Sequence, residues 1–189
     1  AQLEELLPAF LGRQRWFGGK SRPITRAELA DRIPLGNGGT DAELAVVKVT
    51  YRDSDPETYL LPLCWVPAGE EPPRPEAVLA PLACERGAGF LVEGSADPAL
   101  AHALLQAVTR RRRLKGESGE LSGLPLRALR ELGGPEPEAL AAAPLGAEQS
   151  NSSTRFGDRL VLKLFRRIEE GPHPDLEVGQ FLAEVARFP

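Results

Sequence analysis

Only four of the 23 basic residues in this chain are lysines, and one of them, Lys163, interrupts the apolar run Leu160-Val161-Leu162-Lys163-Leu164-Phe165. The run has the composition of a β-strand. Strand alternation puts Lys163 on one face with Val161 and Phe165, and Leu160, Leu162 and Leu164 on the other. An ammonium without a counter-charge is costly to bury, so a lysine in a central strand needs an anion, whereas in an edge strand it can simply block strand addition. Upstream, Glu148-Gln149-Ser150-Asn151-Ser152-Ser153-Thr154 is a run of small hydrogen-bonding residues, and Phe156-Gly157-Asp158-Arg159 has the chemistry of a tight turn. Downstream, Pro174 suits the first position of a helix and Asp175 its first turn. Val178, Phe181, Leu182 and Val185 are expected to form that helix's buried stripe, with Glu177 on the margin. A loop whose backbone N–H groups approach phosphates, a lysine that neutralises them and a carboxylate that aims the lysine form a nucleotide-phosphate site. The G-x-x-x-x-G-K-[ST] loop is absent.

These pieces need a scaffold. Leu3, Leu6, Leu7, Phe10 and Leu11 follow helical spacing over residues 2–11, with Gly12 as the expected stop. Arg15-Trp16-Phe17-Gly18-Gly19-Lys20 is a compact aromatic turn whose rings are expected in the core. From Ile24 to about Glu93 the pattern is β. The runs Ala42–Tyr51, Thr58–Val66, Ala77–Ala83 and Gly89–Val92 predict an antiparallel meander backed by the first helix, ending near Gly87. Asp97 and Pro98 open a second helix with Leu100, Leu104, Leu105 and Val108 as its stripe. Residues 133–144 read as a linker or loosely packed loop. The fold class is α+β, in two parts: residues 1–87 and residues 88–189.

A formal charge of −4 excludes an electrostatic nucleic-acid binder. Cys64 and Cys84, both in apolar contexts, read as buried free thiols. The longest apolar stretch, residues 59–68, is broken by Pro62 and Pro67 and falls short of the roughly 20 residues that span a bilayer. No membrane partner and a cytoplasmic location are expected. His102 reads as structural, and Arg110–Arg113 with Lys115 as a solvated helix end. No zinc pattern, nucleophile elbow or dinucleotide glycine fingerprint is found.

Arg15–Lys20, Glu148–Ser153, Leu162–Arg167 and Gly171–Val178, taken together and in this order, resemble bacterial maltokinase, a family also found fused to trehalose synthase. The resemblance implies an N-terminal cap, then a protein-kinase-like small lobe made of a β-hairpin, a lysine strand and a helix. It implies ATP and Mg²⁺ as cofactors and maltose, phosphorylated at its anomeric hydroxyl, as substrate. Carried over by position, Gln149, Ser150, Asn151, Ser152 and Ser153 would cover the phosphates, Lys163 would contact them and Glu177 would hold Lys163. Neither His102 nor His173 heads an H-x-D catalytic loop, and no D-F-G triplet follows Glu177. No catalytic base or metal ligand is therefore assigned, and the large lobe is expected to lie outside these residues, leaving them inactive alone. Rival expectations are a cap that docks trehalose synthase or self-associates, and a kinase-like enzyme for another small hydroxyl substrate.

Overall fold

In the computed structural model, residues 2–36, 42–69, 74–84, 87–134, 136–145 and 150–186 are described. The N-terminal helix α1 (Gln2–Arg13) continues through Pro8 and past Gly12. Leu7, Phe10 and Leu11 are buried, while Leu6, expected on the same stripe, is 41% exposed.

Four of the strands that follow are those the apolar runs predict: β2 (Ala42–Tyr51), β3 (Glu57–Pro67), β4 (Val78–Cys84) and β5 (Gly87–Glu93). A further strand, β1 (Ile24–Pro34), precedes them. Its alternation is blurred by charge, and it is carried by its long antiparallel pairing with β2. The sheet order β1-β2-β3-β5-β4 departs from a pure meander, because the β4–β5 hairpin packs with β5 inward. One core lies between α1, the aromatic turn and this sheet, and holds Trp16, Phe17, Val47, Tyr59 and Leu61. Cys64 is buried in a second core beside Leu44 and Leu100, and burial pushes its thiol well above the ordinary range.

Helix α2 (Pro98–Thr109) starts as expected, with Asp97 Oδ1 accepting from Ala99 N at 2.8 Å. Leu100, Leu104 and Leu105 are buried, with Ala101 and Ala107 beside them. A short hairpin of β6 (Arg113–Lys115) and β7 (Glu120–Ser122) follows. Asp31 Oδ1 accepts from the N–H groups of Glu117 and Ser118 in its turn. His102 bridges the Pro98 and Leu140 carbonyl oxygens at 2.8 and 2.9 Å, a structural role. Arg110 pairs with Glu138 at the end of α2.

The segment expected as a linker has structure. After α3 (Arg127–Gly133) and a 3₁₀ turn, β8 (Ala142–Pro144) pairs with β9 (Asn151–Phe156), which pairs with β10 (Leu160–Phe165). Small residues hid β8, since Ala142 and Ala143 give no apolar alternation. The β9–β10 turn uses Gly157 at φ +57°, a conformation that favours glycine. Two residues of β11 (Arg167–Ile168) then pair with Tyr59 and Thr58, so the N-terminal part of β3 is flanked by β11 and its C-terminal part by β5. Helix α4 (Pro174–Gln180) runs on into a π-helical turn, Phe181–Val185.

Candidate functional site

Lys163 lies on β10, an edge of the three-stranded sheet, in register with Ser153. Its parity is as expected: Leu162 and Leu164 pack inward, and Val161 and Lys163 face out. Being on an edge, Lys163 remains partly solvated. Its Nζ is 2.8 Å from Asp175 Oδ2 and 5.0 Å from the Phe165 ring centroid. Hydrogen bonding to Lys163 holds the Asp175 carboxyl below the usual range. The helical carboxylate found on Lys163 is thus Asp175, in the first turn of α4, while Glu177 is exposed two residues on. His173 caps this helix, its Nδ1 accepting from Asp175 N at 3.2 Å, and its ring stacks on Phe165 at 3.9 Å between centroids.

The helix face behind Asp175 departs from expectation. Leu176, Val178, Phe181, Leu182 and Val185 are 40–68% exposed, so the predicted buried stripe is uncovered. Helical spacing identifies an apolar face without saying what covers it.

The small-residue run is mostly a strand. Asn151, Ser152 and Ser153 belong to β9, opposite Phe165, Leu164 and Lys163, and Ser150 precedes them. Gln149 lies outside the described residues. A cavity of about 320 Å³ is lined by Ser150, Asn151, Phe165, Arg167, Glu169, His173 and Asp175. The structure therefore brings Ser150 and Asn151 to the same hollow as Lys163's partner Asp175. Among the described residues, no group of three or more His, Cys, Asp or Glu side chains could hold a metal ion.

Sequence reasoning missed the residues that fasten this hairpin to the N-terminal sheet. Arg166 is 1% exposed. Its Nη2 donates to Glu93 Oε1 at 2.8 Å and to Ser152 Oγ at 2.7 Å, and its guanidinium lies 4.6 Å from the Trp16 ring centroid. Burial pulls the Arg166 pKa down, and the Glu93 charge opposes that shift. The next residue, Arg167, reaches Glu57 at 3.1 Å. Glu57 also accepts from Arg22 and, at 2.7 Å each, from the Tyr51 and Tyr59 hydroxyls. Burial raises the Glu57 carboxyl, but these donors outweigh it and leave the pKa below the usual range. Two charged residues at the end of an apolar strand were the available signal. Their separate destinations, Glu93 and Glu57, are set by tertiary folding.

Residues 10–97 match the family model of the maltokinase N-terminal cap domain. The match runs from Phe10 in α1, through the aromatic turn and the sheet, to the Asp97 cap of α2. That stretch is similar to the maltokinase N-terminal cap, in line with the resemblance of Arg15–Lys20. No helix among the described residues is long and apolar enough to cross a membrane.

Proposed function

We propose that this chain is the cap and nucleotide-facing small lobe of an ATP-dependent maltokinase that forms maltose 1-phosphate. The match over residues 10–97 carries this reading, and the pairing of a strand lysine with a helical carboxylate agrees with it. On this reading Lys163 neutralises the α/β phosphates, held by Asp175 at rest and by Glu177 once nucleotide displaces that pair. Gln149 to Ser153 cover the phosphates from the β9 side. The family uses Mg²⁺, but the described residues offer no ligand set for it, so no step here is assigned to a metal. Hydroxyl phosphorylation also needs a carboxylate base. The residues assigned above supply phosphate contacts alone, so these 189 residues bind nucleotide without turning over maltose.

Calorimetric titration with ATP–Mg²⁺ tests this, on the chain alone and on a version extended through a maltokinase large lobe. Binding and maltose phosphorylation by the extended protein support the proposal; no response from it overturns the proposal.

The exposed apolar face of α4 favours a second reading, in which the chain docks another protein surface: trehalose synthase or a second copy. Unchanged association after Phe181→Ser and Val185→Ser would count against it.

A further inference from the structure

Another cavity, of about 280 Å³, lies between the cap and the hairpin. Arg13, Arg15 and Arg74 line it from the cap, and Asn151 and Ser152 from β9. Trp16 forms part of its wall. In a chain of net charge −4, three arginines bordering one hollow make it locally basic. Neither Arg13 nor Arg15 makes an ion pair among the described residues, and Arg74 reaches Glu93 only at 3.4 Å. Glu76 is the one carboxylate residue among those lining the cavity.

A second observation points to the kind of occupant. The Trp16 side chain is 92% buried by its 8% exposure, yet its indole Nε1 is a buried donor without an acceptor. A buried N–H without an acceptor is costly, so this one calls for a group that can accept from it. The three arginines and the orphaned Trp16 N–H share one complement, an oxyanion. Guanidinium forks match phosphate oxygens in pairs, and the Ser152 and Asn151 side chains supply neutral polar contacts beside them.

We propose that this hollow binds a phosphoryl group, as inorganic phosphate or as the phosphate of a small phosphomonoester, held by Arg13, Arg15 and Arg74 with Trp16 Nε1 donating. The site is separate from the Lys163 hollow and does not depend on the phosphoryl-transfer reading. Asn151 lines both hollows, so an anion here stiffens the strand that borders the other one.

The protein carries two tryptophans. Trp65 Nε1 has no acceptor either, so Trp65→Phe breaks no hydrogen bond and leaves Trp16 as the single reporter. In that background, inorganic phosphate and glucose 1-phosphate are titrated separately at low, matched ionic strength while Trp16 fluorescence and thermal midpoint are followed. The expected result is a saturable fluorescence change and a raised midpoint with one or both probes. Affinity should fall about tenfold or more in Arg13→Ala/Arg15→Ala, corresponding to about 1.4 kcal/mol. Arg26→Ala, an exposed arginine paired with Glu28, should leave it unchanged. Tighter binding of the ester identifies a phosphomonoester site, and equal or tighter binding of the free ion a phosphate site. The proposal is overturned by no saturable response to either probe, by an equal response to chloride, or by unaltered affinity in the double variant.

Discussion

Arg166 and Glu93 form an ion pair of 2.8 Å in which both side chains are about 1% exposed, joining the end of the lysine strand to the last strand of the cap sheet. Burial of both charges makes each dependent on the other. Glu93 is further held by Ser95, whose N–H and hydroxyl donate to it at 3.1 and 2.9 Å, so its carboxylate is preset for the arginine.

Glu93→Gln removes the counter-charge and leaves the guanidinium buried. The expected cost is about 3–5 kcal/mol, read as a lowered urea midpoint. Glu93→Leu combined with Arg166→Met keeps the volume without stranding a charge and should recover most of that loss. Equal destabilisation by the single and double variants would refute charge burial as the cause.

Gly19 lets the aromatic turn close over the sheet. A Cβ there would meet the Tyr51 hydroxyl and lie 2.6 Å from Phe17 Cζ, and the hydroxyl is itself fixed on Glu57. Gly19→Ala is therefore expected to cost about 1–3 kcal/mol. At Gly18 the nearest atom would be the Tyr59 hydroxyl at 3.6 Å, an ordinary contact, so Gly18→Ala should be near neutral. Thermal denaturation of the two variants side by side checks the contrast.

What the sequence disclosed follows from how local each feature is. The α2 cap at Asp97 and Pro98, the parity of Lys163 and the core placement of Trp16 and Phe17 each depend on a few neighbouring residues, and all are found. Strand β8 was hidden because alanines carry no pattern. The Asp175 partner of Lys163 depends on where α4 sits relative to β10, which helical periodicity alone does not determine. Arg166 and Arg167 look alike in sequence, yet they are separated in space by the turn of the chain into β11, one toward Glu93 and one toward Glu57. Long-range pairing of this kind is legible only once the sheet exists.

Glu57 makes stability pH-dependent. Its folded pKa is depressed, because four donors outweigh burial. A carboxylate of lowered pKa contributes stability that is full above its ordinary range and lost as pH falls through that range toward the folded value. The thermal midpoint should drop on acidification below the ordinary carboxylate range. Glu57→Gln should be less stable at neutral pH and show a shallower acid-side slope. A parallel pH profile in that variant would contradict the assignment.

The Lys163–Asp175 pair should behave in the opposite way to Arg166–Glu93. Its side chains are 39% and 56% exposed, and solvated pairs contribute about 0–1 kcal/mol. Asp175→Asn is therefore expected to leave the denaturation midpoint almost unmoved, and Lys163→Ala likewise. Because so little stability rests on the pair, its effect should appear in ligand binding. Lys163→Ala should weaken ATP–Mg²⁺ binding by about tenfold or more, since a cation on the phosphates acts through charge. Asp175→Asn removes the carboxylate charge at 2.8 Å from the ammonium and should leave affinity equal or higher in the extended protein. A large stability loss with unchanged nucleotide affinity in Lys163→Ala would make the lysine a structural edge residue and remove it from the site.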